Sequence, residues 1–227
     1  QAPNTVKSED ECRKILASIG IPMANSEVAK SAKEAISIWS AINGPVALKI
    51  VSPDILHKTE IGGVRLNLND PTEIEDAFND IIEAGTKHYP KANIEGVIIS
   101  EMISEGVETV LGVINDPIFG PAVMFGLGGV FVEVLGDVTF RLAPFDLSEA
   151  HRMIAEIKGI KMLYGARGAA SSDIDAIADA LVKLSIFAST NSDKISSIDI
   201  NPFIVRPEGQ GAVGVDALII PHGVDVI

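Results

Sequence analysis

One histidine of this chain lies in a loop whose other residues are suited to phosphate chemistry. His57 stands in residues 52–64, SPDILHKTEIGGV, beside Lys58 and before Gly62 and Gly63. An imidazole that is largely neutral near pH 7 is a nucleophile, a lysine offers a cation to a phosphoryl group, and glycines let backbone amides approach an anion. A lone loop histidine is usually only solvated, but this combination favours covalent phosphoryl carriage by His57.

A lysine interrupts the apolar run just before this loop. Residues 45–51, PVALKIV, have the composition of a buried strand, and Lys49 lies inside them. Burying an ammonium group is costly unless an anion meets it. We therefore expect Lys49 to face a phosphate in a cleft. The alternative is an edge-strand lysine whose stem is covered while its ammonium reaches water.

Candidate metal ligands lie near the C-terminal end of the sequence. In DINPF, Asp199 and Asn201 are two positions apart, so a strand would place both on one face. Asp216 interrupts the apolar run GAVGVDALII, which we predict as a second strand. These oxygen donors form the hard set that Mg²⁺ takes together with nucleotide phosphates. The pattern predicts a magnesium site, with a structural hydrogen-bond network as the alternative.

The remaining candidates are weaker. The stretch GLGG at 126–129 is as typical of a hairpin turn as of a phosphate loop, since no GK[ST] ending follows. Four charged residues interrupt β-like runs, and each alone is more typical of a half-exposed strand position: Glu101, Glu108, Glu133 and Arg141. We expect one or two of them to line the cleft.

The pattern of elements predicts an α+β fold. Ser8 and Glu11 form a capping box for a helix at 8–19, and a second helix is predicted at about 27–42. After Gly106 short β-like runs follow one another with Gly and Asp-Pro turns, as in an antiparallel sheet. The other predicted elements are strands at 45–51, 63–68 and 94–103, helices from 71, at 146–158 and at 172–188, and two final strands.

Composition limits the classes of protein. A net charge of −13 over 227 residues, without a basic cluster, argues against a general nucleic-acid binder. The longest apolar stretch falls short of the roughly 20 residues that a membrane-spanning helix needs. The single cysteine, Cys12, lies on an apolar helical stripe, which predicts a core position. With no apolar signal segment near residue 1, we expect a cytoplasmic protein.

Together these motifs resemble a known family. Lys49, the loop at 52–64, the run EGVETVLGVINDPIFGPAVMFGLGG and the pair DINPF and GVDALI are similar to the β subunit of ADP-forming (nucleoside-diphosphate-forming) acyl-CoA synthetases, archaeal acetyl-CoA synthetase type. The resemblance implies one ATP-grasp domain whose two lobes clamp a nucleotide. We expect lobe one at about 21–101 and lobe two at about 102–227, with helix 8–19 able to pack with either lobe.

The resemblance also implies a reaction and a role for each residue. The reaction is acyl-CoA + ADP + phosphate ⇌ carboxylic acid + CoA + ATP. A phosphohistidine on a partner subunit would pass its phosphoryl group to His57, and from there to ADP. Lys49 and Lys58 would meet the phosphates, Glu101, Met102 and Ile103 would form the hinge at the adenine, and Glu108 would face the site. Asn201 and Asp216 would bind Mg²⁺, with Asp199 beside them in place of a longer glutamate.

The implied partner is an α subunit that carries the CoA-binding and ligase domains, in an α₂β₂ assembly. No segment of this chain resembles a CoA-binding unit, so we expect half of an enzyme with ATP or ADP as its ligand, acting on neither nucleic acid nor membrane. Two alternatives remain at this point. One is an ATP-grasp ligase that forms an acyl phosphate directly, and the other is a degenerate nucleotide-sensing module.

Overall fold

The computed structural model describes residues 7–55, 58–129, 136–165 and 170–224. Within these ranges lie helices and antiparallel sheets, which confirms the α+β class. Helices α1 to α5 span Glu9–Ser18, Ala32–Ile42, Pro71–His88, Leu147–Ala155 and Ile174–Thr190, and a short 3₁₀ helix spans Ile160–Met162. Strands β1 to β10 span Ser26–Ala29, Val46–Val51, Val64–Leu68, Gly96–Glu101, Val107–Asp116, Gly120–Leu127, Val138–Leu142, Ile195–Val205, Ala212–Gly214 and Ala217–Pro221.

The described chain forms two compact units. The smaller unit contains Ala24–Ile103 together with Ser8–Glu11. The larger unit contains Cys12–Met23 and the chain from Ser104 onwards. Each unit has its own sheet and its own apolar core.

The smaller unit is a four-stranded antiparallel sheet in the order β1-β4-β2-β3. Helices α2 and α3 pack on it, and the core between them includes alternate residues of β2, Val46, Leu48 and Ile50. Because side chains of a strand alternate between faces, the intervening Lys49 points to the face away from this core.

The larger unit is a six-stranded antiparallel sheet in the order β10-β8-β5-β6-β7, with β9 pairing with β8. Helices α4 and α5 cover one face, and their core includes Leu111, Val123 and Phe125 from the sheet. Cys12 of α1 is fully buried in the same core, as predicted.

The capping box of the first helix forms as the sequence predicts, and a second cap begins α3. The Ser8 amide donates to the Glu11 carboxylate (3.0 Å), and the Glu11 amide donates to the Ser8 hydroxyl (3.4 Å). Asp70 begins α3 by accepting from the amides of Thr72 (2.8 Å) and Glu73 (3.4 Å). These bonds satisfy N–H groups that have no partner within the helix. None of the described helices is both long and apolar enough to span a bilayer.

Two predicted elements are wrong. Residues 26–29 form strand β1 on the edge of β4, instead of the start of the helix predicted from 27. Helix α2 begins only after Ser31, whose hydroxyl accepts from the Glu34 amide (3.2 Å). The second error is the single strand predicted over 211–220, which is divided into β9 and β10 at Val215 and Asp216.

Gly96 provides a test of the smaller sheet. Its φ is +146°, and an added Cβ would lie 2.4 Å from the carbonyl oxygen of Ala29 on β1. Gly96→Ala should therefore lower the free energy of unfolding by about 1–3 kcal/mol. The control is Gly44→Ala, where an added Cβ meets no atom within 4 Å. Thermal unfolding of both variants measures the effect, and equal melting temperatures would contradict it.

Candidate functional site

Lys49 is held in the middle of the smaller sheet. It lies opposite Val64 on β3 and Ile98 on β4, and it is buried. The predicted buried strand lysine is therefore present, on the face of the sheet away from α2 and α3. A shielded ammonium in this position can meet an anion that approaches that face. Its contact with a nucleotide stays a prediction.

The loop that carries the candidate nucleophile is described on both sides of it. Leu56 and His57 lie outside the described residues, so the role of His57 stays a prediction. Its neighbour Lys58 forms an ion pair with Glu9, in the first turn of α1, and both side chains are largely shielded from water. In this structure the Lys58 ammonium is neutralised by a carboxylate, and a phosphate would have to compete with Glu9 for it.

The glycine pair of this loop has a different purpose from the one predicted. The Gly62 amide donates to the Thr59 carbonyl (3.1 Å) and the Gly63 amide to the Lys58 carbonyl (2.8 Å). A Cβ on Gly63 would lie 2.9 Å from that Lys58 oxygen. The two amides therefore close a tight turn within the loop in this structure, and do not point to an anion. Close backbone packing explains Gly63 without an anion-binding role.

The predicted hinge at 101–103 is bonded to neighbouring segments of the smaller unit. The Glu101 carboxylate accepts from the Asn25 amide (2.9 Å) and from its side-chain nitrogen (3.2 Å). The Met102 amide donates to the carbonyl of Pro45 (2.9 Å). Ile103 ends this unit. The Met102 N–H is thus already used, and an adenine here would have to bond to other backbone groups of 101–103.

Glu108 and the glycine-rich stretch meet in the larger unit. Glu108 lies on β5 opposite Ile204, and its side chain is exposed. The Gly128 amide donates to its carbonyl (2.7 Å). Residues 126 and 127 are the end of strand β6, so the GLGG stretch begins as sheet. Residues 130–135, with Glu133, lie outside the described residues.

The predicted metal ligands meet around the break between β9 and β10. Asp199 and Asn201 are exposed on β8 while Ile198 and Ile200 are buried, which confirms the predicted alternation. The backbone amide of Asn201 donates to the backbone carbonyl of Asp216 (3.2 Å), and the backbone amide of Val215 donates to the carbonyl of Pro202 (2.9 Å). Asp216 therefore lies between two strands, and not within one strand as was predicted. Backbone hydrogen bonds outside the regular strand pairing hold it opposite Asn201.

A residue that the sequence did not single out helps to fix this break. Arg13 of α1 is buried, and its guanidinium donates to the carbonyl of Val215. The sequence signal that could have identified Arg13 is its place beside Cys12, in a helix predicted to be buried there. A buried cation must find a hydrogen-bond acceptor. Arg13 therefore positions the backbone next to Asp216 and is not itself a ligand candidate.

The electrostatics of this group favour a cation. Partial desolvation, and secondarily the charge of Asp216, raise the pKa of Asp199. Although the Asp199 side chain is exposed, the surrounding protein removes part of the water that would stabilise its charge. Such a carboxylate pair is stabilised by a bound divalent cation.

The donor set fits a magnesium ion whose other ligands are supplied by a nucleotide and water. Across the described ranges, no group of three or more His, Cys, Asp or Glu side chains is arranged to hold a metal ion. Two carboxylates and the Asn201 amide oxygen would leave the remaining positions to phosphate oxygens and water, which is how Mg²⁺ is usually bound.

Two further charged residues of the larger unit have structural contacts. Arg141 bonds to the carboxylates of Glu149 (2.5 Å) and Glu156 (2.6 Å), on the helix side of the sheet, and these bonds raise its pKa. The buried Asp137 was not predicted; it accepts from the amides of Lys158 (2.9 Å) and Gly159 (2.8 Å). Asp137 thus fixes the start of the segment at 159–171.

Comparison with known proteins identifies the family to which this chain belongs. A family model of the ATP-grasp domain matches residues 1–220. The chain is 44% identical, over 96% of its length and 93% of the relative's, to acetate–CoA ligase [ADP-forming] II subunit beta of Pyrococcus furiosus. The chain therefore belongs to the ATP-grasp family, among the β subunits of ADP-forming acyl-CoA synthetases. This confirms the predicted fold and the resemblance of its motifs.

A solved structure and a longer relative extend the comparison. The structure is acetyl-coenzyme A synthetase 1 of Ca. Korarchaeum cryptofilum with coenzyme A and Mg-AMPPCP, its phosphohistidine segment pointing towards the nucleotide binding site. It matches with a TM-score of 0.83 and 40% identity over 96% of this chain and 93% of that one. Acetate–CoA ligase [ADP-forming] I of Archaeoglobus fulgidus is 43% identical over 88% of this chain, which corresponds to only 29% of that protein.

Asp199 gives a prediction about pH. Its raised pKa means that the folded state binds the proton more tightly than the unfolded chain. Charged Asp199 therefore lowers stability above its folded pKa, and this effect disappears as the pH falls through that pKa towards the ordinary value of 3.8. Asp199→Asn should stabilise the metal-free protein near neutral pH, by less than about 1 kcal/mol because the carboxylate is accessible.

Thermal unfolding in a chelating buffer measures this effect. The melting temperature of Asp199→Asn should exceed that of wild type at about pH 7, and the difference should vanish towards about pH 4. Comparing the two proteins at each pH removes the contribution of all other titrating groups. A difference that does not change with pH would contradict the raised pKa.

Proposed function

We propose that this chain is the nucleotide-binding subunit of an ADP-forming acyl-CoA synthetase that uses acetate as an acid substrate. The reaction is acyl-CoA + ADP + phosphate ⇌ carboxylic acid + CoA + ATP. The observation that carries the proposal is the 44% identity to a β subunit of an ADP-forming acetate–CoA ligase across 96% of this chain. The relatives do not favour the sensor or the direct acyl phosphate ligase.

The chain's own residues would serve the phosphates of ADP and ATP. Asp199, Asn201 and Asp216 would hold Mg²⁺, which supplies positive charge to the phosphate oxygens. Lys49 is buried and directed away from the core of the smaller unit, and we place its ammonium beside a phosphate on that face. Phosphoryl transfer needs mainly positioning and charge stabilisation, and these groups are of the type that provides both.

The proposed transfer passes through His57 in two steps. A ring nitrogen of His57 attacks the phosphorus of a phosphohistidine on the partner, so that one N–P bond forms while the partner's N–P bond breaks. An oxygen of the β-phosphate of ADP then attacks the same phosphorus, which releases neutral His57 and gives ATP. Lys58, now paired with Glu9, would meet the transferring group if that ion pair opens.

The proposal includes a partner and an assembly. The similar Pyrococcus furiosus protein is named a β subunit, which supports an α subunit as the partner of this chain. That subunit would carry the CoA-binding and ligase domains, and α₂β₂ is the assembly that we propose. The fully buried Cys12 is compatible with action in the reducing cytoplasm, which we also propose.

Removal of one metal ligand tests the nucleotide site. Asp216→Ala leaves a bound cation short of a charged donor and should weaken Mg·ADP binding by about 1–3 kcal/mol. The control is Asp193→Ala, an exposed carboxylate in the turn before β8. Titration calorimetry measures both affinities. Unchanged Mg·ADP affinity in folded Asp216→Ala would remove Asp216 from the site.

Chemical labelling tests the role of His57. Incubation of the αβ complex with γ-labelled ATP and Mg²⁺ should give this chain a label that is labile to acid, stable to alkali and returned to ATP by ADP. His57→Asn should abolish the label on this chain while Mg·ADP still binds, because the amide is not a nucleophile.

The matched control for this experiment is His88→Asn, an exposed histidine at the end of α3. The two chains are separated before counting, so that a phosphohistidine on the α subunit does not contribute. His88→Asn should be labelled like wild type. Undiminished labelling of His57→Asn would transfer the role to another residue.

A further inference from the structure

On the side opposite α4 and α5, one end of the larger sheet is exposed. The register of the strands places Ile220, Ser197, Ile114, Ala122 and Leu142 side by side across this face. Four of these five side chains are apolar and none is charged. Neighbouring strand residues such as Val113 and Val123 point to the opposite side and are buried in the core. The alternation therefore separates the face packed under the helices from a face that is apolar and exposed at this end.

Two large side chains of this row are well exposed. The exposed fractions are 54% for Ile114 and 55% for Leu142, and Phe140 in the adjacent row of the same face is 47% exposed. The turn between β5 and β6 adds Ile118 at 82% and Phe119 at 70%. We call Ile114, Ile118, Phe119, Phe140 and Leu142 the open apolar surface. A group of exposed large apolar side chains of this kind is typical of a binding interface.

The turn that contributes Ile118 and Phe119 is restrained by hydrogen bonds. The carboxylate of Asp116 accepts from the amides of Ile118 (2.8 Å) and Phe119 (2.9 Å). These bonds limit the backbone freedom of the turn, so less conformational entropy is lost when a partner covers it. The two most exposed large apolar side chains of the described residues therefore lie on a pre-organised turn.

The open apolar surface shares its face of the sheet with a candidate metal ligand. On β8 Asp199 lies opposite Gly112 of β5, which in turn lies opposite Met124 of β6. The Met124 side chain covers Gly112, since a Cβ there would lie 3.1 Å from the Met124 methyl carbon. Met124 is followed by Phe140 on β7. One row of neighbouring strand residues thus connects Asp199 with Phe140 of the open apolar surface.

We propose that the open apolar surface is the docking site for the α subunit of the synthetase. This inference rests on the proposed function, which requires a partner to bring a phosphoryl group to this face. In the Archaeoglobus fulgidus relative the matching domain is 29% of a longer protein, so the remaining part accompanies it in one chain. A separate β subunit must hold the equivalent part by non-covalent contact, for which exposed apolar side chains next to the site are suited.

The test uses purified α subunit and the complete β chain. Ile114→Gln/Leu142→Gln replaces two apolar side chains of the surface by polar ones of similar size. The matched control is Leu66→Gln/Ile186→Gln, which changes the same two residue types at 55% and 53% exposure elsewhere in the chain. Association is measured by titration of labelled α subunit, and Mg·ADP binding by each β chain is measured by calorimetry.

We expect the surface variant to bind the α subunit about tenfold or more weakly than wild type. Its Mg·ADP affinity and melting temperature should remain those of wild type, which shows that the chain is folded. The control variant should bind the α subunit like wild type. A surface variant that binds the α subunit with unchanged affinity would overturn the docking site and leave the proposed function intact.

Two other outcomes would also overturn the inference. Wild-type chain that binds neither Mg·ADP nor any α subunit would remove the proposed function together with the docking site. Light scattering could instead show that the isolated chain is a dimer which the surface variant separates without loss of α-subunit binding. The open apolar surface would then be an interface between two copies of this chain.

Discussion

The proximity of two carboxylates, Asp199 and Asp216, is the constraint on which the proposed site of the larger unit depends. Partial desolvation, and secondarily the charge of Asp216, raise the pKa of Asp199, so this arrangement is maintained by the fold and not by attraction between the ligands. The break between β9 and β10 fixes it, through the bonds of Asn201 and Val215 to the facing backbone and the guanidinium of Arg13. A divalent cation would convert this repulsion into binding energy, because it attracts both carboxylates at once.

The two faces of the larger sheet have different tasks. One face is buried under α4 and α5 and stabilises the unit through apolar packing. The other carries Asp199 and Asn201 on β8, and further across it the exposed Ile114 and Leu142. An antiparallel sheet permits this division because successive side chains point to opposite sides. Chemistry and partner binding can therefore share one surface without disturbing the core that holds the strands in register.

The smaller unit handles charge in another way. Lys49 is buried within β2, where flanking strands fix its position, whereas Lys58 is held by Glu9 on a tight turn. Lys58 must leave the Glu9 carboxylate before it can meet a phosphate. The availability of Lys58 therefore depends on whether this ion pair is closed or open.

The sequence alone determined the features that depend on nearby residues. The Ser8–Glu11 box, the Asp70 cap and the alternation around Asp199 all follow from local hydrogen bonding or strand period, and the motifs were sufficient to indicate the family. Strand β1, the break at Asp216 and the Glu9–Lys58 pair were decided only by the tertiary structure. The reason is physical, because each depends on an acceptor, a strand edge or a charge contributed by residues far away in the chain. A local sequence pattern does not identify that distant partner.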